Sequence, residues 1–583
     1  MFQAAVLWLA ASALAVPAAV PSCADKPAPI VSIVTSFASS AGFNPSTGTS
    51  SVLPTTTLQP PSTTAAFSTT PTTSTAPSTT PLKLSAPATA VAGGFIQIAW
   101  MGASAASTDD WILFAKNNDA PSATNYLADC WQYTYRDTDK TGVASTTSGS
   151  ISIKAPAVPG TYKAWYCFNN GFNCKASVSV TVTKPQFTCR APGNTASSIK
   201  NVIIIVSENH SFDSYFGRYC KAAFGSKPSC NIGPECCEAY NPIPGVEPVV
   251  LDDGENMGFN PDHSTDGEIC RMNGGLMDKY VTGCFYSDVR NFAMANGSVG
   301  SASHYWGWAS NYAMSDRFFQ SAPGASAQND MYFARGAYVF LDNTMYPGAG
   351  GAAGPCPSPF SAAACAAYND PTIGDLLQDC NVPFAWYQVA YPNIDVSDDP
   401  FLYYPSLANS PNKDSMFKEF NQLGMDIANG NLPPITYVKG GYGPSSFGAF
   451  QDTSEHPGNS ISGGEKLNAA VIDQILASDK YKDNTVIFLV PDESGGFRDS
   501  VTPPARSTVD NKLYGPRTPF LAVGNMVKKN YISHISAEPA SIIRFIESNW
   551  LADAVPGQLQ TRDAAAGSLN DMFDQAKTGF IFP

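Results

Sequence analysis

Charge is scarce in this chain. Only 14% of its 583 residues are Asp, Glu, Lys or Arg, and acids outnumber bases by 48 to 34. The net charge of −14, with an isoelectric point near 4.8, argues against a nucleic-acid partner, because a phosphate backbone needs Lys/Arg-rich faces. No apolar run beyond the first residues reaches the length of a transmembrane helix, so no membrane-spanning segment is expected. No internal repeat is visible. Cysteine is missing from the last third: all 14 lie at or before Cys380. No CxxC pair is matched by a second one, which disfavours a cysteine-held metal and favours disulfides. Histidine is rare too, with five in the whole chain.

Apolar residues are ample, at 44% with 11% aromatic, and 583 residues are too many for one core. Two or three domains are expected. Residues 1–24 read as a signal peptide, with an apolar core AAVLWLAASALAV followed by small residues, although the start lacks Lys or Arg. That leader and the cysteines together predict a secreted, soluble protein. If Cys23 leaves with the leader, thirteen cysteines remain and one has no mate. Residues 25–81 form a linker, whose stretch from about 45 is a nearly uncharged Ser/Thr/Pro tract. Such a composition buries too little apolar surface to order itself and suits O-glycosylation. Residues 82–183 change to short alternating segments, FIQIAW, DWILFA, SISIKA, TYKAWYCF and SVSVTVT, several of them divided by turn residues. This spacing predicts a small β-sandwich resembling immunoglobulin-like or fibronectin-like modules. Nothing in it looks catalytic; it reads as an accessory module.

From residue 186 to 552 apolar strands alternate with helical stretches, which predicts an α/β domain; residues 553–583 read as a tail. The stretch NVIIIVSENHSFDSYFG, residues 201–217, organises it. Val202 to Val206 read as a strand buried on both faces, and Glu208 and Asn209 follow where open α/β sheets place their ligand crevices. A second buried strand, TVIFLV, ends in Asp492 and Glu493. Together Glu208, Asn209, Asp492 and Glu493 make an all-oxygen set suited to a hard divalent cation. The segment SAPGASAQND sets Ser326 at the start of a helix, where free N–H groups and the helix dipole favour an alkoxide and bind phosphate oxygens. The simpler reading makes Ser326 a helix cap.

ENHSFDSYFG resembles the ENRSFDHYFG signature of the phosphoesterase family of bacterial phospholipases C and acid phosphatases. Four further segments resemble family motifs in the same order: DHSTDGEICRMNGGLMDKYV at 262–281, HYWGWASNYAMSDRFFQSAPGASAQNDMYFARG at 304–336, DESGGFRDSVTPP at 492–504 and GPRTPFLAVGNMVKKNYISH at 515–534. The resemblance implies an alkaline-phosphatase-like α/β fold with a central, largely parallel sheet. It implies metal binding by Glu208, Asn209 and Asp492, with Glu493 adjoining, and Ser326 as the nucleophile. It also places Asn329 on a phosphate oxygen and His263 and His456 near the phosphate.

The chain departs from the pattern where Ser494 and Ser500 stand in place of histidines and Glu538-Pro539 replaces an Asp-His. These departures put the usual leaving-group acid in doubt. The expected function is secreted, metal-dependent hydrolysis of phosphate esters through a phosphoserine, of phospholipase C type on phospholipid head groups, with transient contact to a membrane surface. The cofactor expected is one divalent ion, Mg, Ca or Mn in preference to Zn. The alternatives are an acid phosphomonoesterase and an inactive surface or glycan-binding protein.

Overall fold

The computed structural model describes residues 81–579, except 105, 128–129, 135–145, 338–367, 393–397, 442–451 and 553–556. The expected signal peptide and all but the last residue of the expected linker lie outside the described residues.

The strand around which the body is built is β1 (Asn201–Ser207), in which every residue is buried. Its aliphatic side chains alternate between two cores. Val202, Ile204 and Val206 join one, and Ile203 and Ile205 the other. Seven more strands complete the sheet: β2 (Ala313–Ser315), β3 (Phe384–Gln388), β4 (Phe417–Glu419), β5 (Ile435–Lys439), β6 (Thr485–Pro491), β7 (Phe520–Val523) and β8 (Tyr531–Ser533). Their spatial order is β4-β3-β5-β1-β6-β7-β2-β8. β1 pairs in parallel with β5 on one side and β6 on the other. β7 alone runs antiparallel to its neighbours, and the other five pairings are parallel, so the sheet is largely parallel, as expected, with one reversed strand.

Helices cover both faces, the arrangement that buries a two-sided sheet. α4 (Ile461–Ala477) adds Val471, Ile472 and Ile475 to one core, and α5 (Pro539–Trp550) adds Ile542, Ile543, Phe545 and Ile546 to the other. Shorter helices at the sheet's carboxyl edge are α1 (Phe212–Phe216), α2 (Thr265–Met272) and α3 (Ser326–Arg335). Among the described residues, four disulfides tie the body: Cys189–Cys380, Cys220–Cys237, Cys230–Cys236 and Cys270–Cys284. The adjacent pair Cys236-Cys237 is thus shared between two separate bridges.

Residues 82–183 fold as two sheets. Strands Lys83–Ser85, Phe95–Met101 and Ser148–Lys154 make one, and five strands between Thr89 and Thr183 make the other. Ile98, Ile151 and Ile153 from the first share a core with Phe114, Tyr166 and Val180 from the second. A further disulfide, Cys167–Cys174, closes a hairpin here. The unit is docked on the body by polar contacts. Phe95 N–H donates to Gln560 O at 2.8 Å, and Asn511 Nδ2 to Ser152 O at 2.7 Å. Asp370 receives Lys154 from this unit and Arg335 from the end of α3, each at 2.9 Å. Burial alone would raise the Asp370 pKa, but the two cations hold it below the usual carboxylate range. The tail is likewise packed: Arg562 is buried and pairs with Asp510 and Glu538.

Candidate active site

Three adjacent parallel strands end together. Val206 lies opposite Lys439 at the end of β5, and Ser207 lies opposite Pro491 at the end of β6. The chain therefore delivers Glu208, Asn209, Lys439, Asp492 and Glu493 to one spot at the sheet's carboxyl edge, and all five are fully buried. Asn209 turns there with φ of 51°, a left-handed conformation that asparagine tolerates better than most residues. The turn directs its side chain back over the sheet edge beside Glu208.

The helix α3 brings the serine. Its N-cap is Ala325, with no side-chain cap bond, so Ser326 is the first helical residue and does not cap the helix. Ser326 Oγ instead faces Glu208 Oε2 at 3.2 Å and Asn209 Oδ1 at 3.3 Å. The helix N-terminus beneath it supplies unpaired N–H groups and positive potential. Gly324, at φ of 123°, makes the tight approach; a Cβ there would run into Gln328 and Thr265.

Acid crowding dominates the electrostatics. Lys439 Nζ lies 2.5 Å from Glu208 Oε1, 3.6 Å from Asp330 Oδ2 and 3.7 Å from Asp492 Oδ2. Burial works against its charge, but these carboxylates outweigh burial and hold its pKa well above the ordinary value. One ammonium does not offset so many acids. Burial, then the Glu208 charge, pushes the Asp492 carboxyl up to about 7. Burial, then Glu268 and Asp492, raises Glu493.

The donor set fits a cation with oxygen ligands. Glu208 Oε2, Asn209 Oδ1 and Ser326 Oγ converge, and Asp492 Oδ2 is buried without a hydrogen-bond partner. Asp492 Oδ1 is occupied by the amides of Asn209 and Glu493. Glu493 Oε2 accepts from the Gly495 amide at 2.5 Å, while its Oε1, like Asp492 Oδ2, is buried without a hydrogen-bond partner. Among the described residues, no three His, Cys, Asp or Glu side chains form a metal-holding group by themselves. The set therefore depends on the Asn209 amide and the Ser326 hydroxyl as well as the carboxylates.

The remaining expected residues divide. The rings of His263 and His456 meet edge to face with centroids 5.6 Å apart. Burial, then His456, lowers His263 to about 4, so its ring is neutral at ordinary pH. His456 Nδ1 lies 2.7 Å from Pro457 O. Asn329 is fully buried and braces the serine's turn: its Oδ1 accepts from the Ala322 amide at 3.1 Å and its Nδ2 donates to Gly324 O at 2.8 Å. As placed, both atoms of its amide brace the loop before Ser326. His534 spends both ring nitrogens on Asp316 and Cys230 O.

Sequence reasoning missed Lys439, Asp330 and Glu268. Lys439 had a signal, being the one charge in the apolar run ITYVK at a strand's carboxyl end. Asp330 sits one helical turn after Ser326, which is a weaker sign. Glu268 had none beyond its motif.

Comparison with known proteins bears on this geometry. A family model described as the phosphoesterase family matches residues 199–552, more than half of the chain and all of the site. The chain belongs to the phosphoesterase family. Among curated phosphoesterase relatives, a non-hemolytic phospholipase C of Burkholderia pseudomallei is 22% identical over 447 residues, 65% of this chain and 59% of that protein. A non-specific phospholipase C6 of Arabidopsis thaliana is 22% identical over 418 residues, covering 66% and 73%. A non-hemolytic phospholipase C of Pseudomonas aeruginosa is 23% identical over 438 residues, covering 66% and 58%. The matched region thus spans only about three fifths of either bacterial protein.

Proposed function

We propose that this phosphoesterase hydrolyses phosphoric esters by a two-step displacement on Ser326, with phospholipid head groups as the substrate class. The observation that carries the reading is the Ser326 hydroxyl at the amino terminus of α3, within hydrogen-bond reach of both Glu208 and Asn209. The relatives named as phospholipases C supply the substrate class.

Ser326 Oγ attacks phosphorus in line as its proton passes to the carboxylate that accepts its hydrogen bond, Glu208. The alcohol leaves as it takes up that proton, and water then adds to phosphorus as the Ser326 Oγ–P bond breaks, restoring the serine hydroxyl and releasing the phosphoryl product. The α3 N–H groups stabilise charge on the equatorial phosphoryl oxygens. Neutral His263, with His456 against it, serves as a hydrogen-bond donor there and not as a standing imidazolium acid. A divalent cation of the Mg, Ca or Mn kind held by Glu208, Asn209 and Asp492 would supply the positive charge that lowers the serine pKa.

We also read residues 1–24 as a leader, the protein as secreted, residues 82–183 as an immunoglobulin-like sandwich and residues 186–552 as an alkaline-phosphatase-like catalytic domain. The docked contacts at Asp370 support a supporting role for the sandwich over a free binding module.

The test is intact-mass spectrometry after acid quench with a reactive phosphate ester, with divalent cation supplied, on wild type and Ser326→Ala. A phosphate adduct on Ser326, absent from the variant, is expected. Turnover of phosphatidylcholine above p-nitrophenyl phosphate is expected alongside it. The reverse preference would make the protein a phosphomonoesterase, and neither adduct nor turnover would leave a binding protein.

A further inference from the structure

Ser494 stands where the resemblance to the family leads one to expect histidine, and the structure shows what it does instead. Its hydroxyl donates to Glu268 Oε1 at 2.6 Å. The other Glu268 oxygen accepts from Gln320 Nε2 at 2.8 Å and from the Gly324 amide at 2.8 Å. The ring closes through the Ser494 amide, which donates to Gln320 Oε1 at 2.7 Å. Gln320 Nε2 makes a second bond, to Ala322 O at 2.9 Å, which fixes which way its amide faces. Glu268, Gln320 and Ser494 are all at 0% exposure.

We propose that Glu268 is a positioning residue that straps the turn before Ser326 to the loop carrying Asp492 and Glu493. The proposal rests on the reading of Ser326 as nucleophile. Gly324 is two residues before Ser326 and holds a backbone conformation open in practice to glycine alone. A glycine has no side chain to anchor it; Asn329 holds its carbonyl from within the turn, and Glu268 holds its N–H from outside. Rotation at Gly324 would swing Ser326 Oγ away from Glu208 and Asn209. The same carboxylate reaches the opposite wall through Ser494, two residues beyond Asp492. It therefore sets the gap between nucleophile and acids from both sides. A misplacement of about 1 Å at such a gap costs about 100-fold in rate.

The experiment uses the full chain with divalent cation supplied. Amide hydrogen exchange is followed in peptides spanning Gly324 and Ser494, together with kcat and KM on a soluble phosphodiester. Glu268→Ala is expected to speed exchange in those two peptides alone and to lower kcat about 100-fold, with KM changed less than about threefold. Glu268→Gln can still accept from Gly324 and Gln320 through its amide oxygen while its NH2 meets the Ser494 hydroxyl. It is expected to restore protection and most of kcat. Unchanged exchange at Gly324 in Glu268→Ala overturns the proposal. So does a Glu268→Gln variant as defective as Glu268→Ala, since charge and not the strap would then matter. Should Glu268→Ala fail to fold, Ser494→Ala cuts one link only; faster exchange around Ser494 is expected, and no change overturns the proposal. If the wild type cleaves no phosphoester, the nucleophile reading fails, while the exchange result still decides whether Glu268 holds the turn.

Discussion

Replacing Lys439 with methionine keeps an unbranched side chain, one heavy atom shorter, and removes its charge from the acid cluster. The ammonium lies 2.5, 3.6 and 3.7 Å from the carboxylates of Glu208, Asp330 and Asp492, and all four side chains are at 0% exposure. At an effective dielectric of about 20, a unit pair near 3.6 Å is worth about 4–5 kcal/mol. Desolvation of the ammonium takes part of that back, but removing one partner strands buried charge, at a net cost of about 3–5 kcal/mol. Whole-domain stability is about 5–15 kcal/mol, so the loss is a large share of it. In urea, with m near 3 kcal/mol/M, the midpoint of Lys439→Met should fall by about 1–1.7 M in buffer containing EDTA. Asp330, whose two oxygens have no hydrogen-bond partner, identifies the cause. Asp330→Asn in the same chain should return part of the loss. Divalent cation should raise the midpoint of Lys439→Met more than that of the wild type, because it meets acids that have lost their ammonium. A Lys439→Met protein that unfolds at the wild-type midpoint in EDTA would refute the reasoning.

Glu455 makes stability depend on pH. It is fully buried and accepts from Tyr215 at 2.6 Å, Tyr305 at 2.9 Å and Asn468 at 2.8 Å, and burial pushes it from an ordinary 4.5 up to about 8. A raised acid contributes fully below its unfolded value and loses that contribution as pH rises through its folded value. The unfolding midpoint should therefore drop between pH 4.5 and 8, and Glu455→Gln should flatten that slope; an equal slope in both proteins would exclude Glu455 as the source. Of the sequons Asn209-His-Ser211 and Asn296-Gly-Ser298, the first is buried at Asn209 and the second is exposed at Asn296. A peptide map of secreted protein should show glycan on Asn296 and none on Asn209; glycan on Asn209 would remove it from the site.

Much of this protein was legible before folding. VIIIV and TVIFLV are uniformly aliphatic because they are buried on both faces, and that composition marks parallel strands without any contact being known. The acids that follow them, Glu208-Asn209 and Asp492-Glu493, are where such strands place ligands, and local order alone brought them to notice. Partnerships across the sheet were not legible. Lys439 lies more than two hundred residues from Glu208 in the chain, and only the parallel register of β1 against β5 sets it beside that carboxylate. Asp492 and Glu493 read as equals, and only the fold shows that each spends one oxygen on backbone amides and buries the other without a hydrogen-bond partner. Ser326 had two readings until the cap proved to be Ala325. Side-chain identity and spacing determine which chemistry is present; which groups touch is decided by register and by the direction of each turn, and these exist only once the sheet has formed.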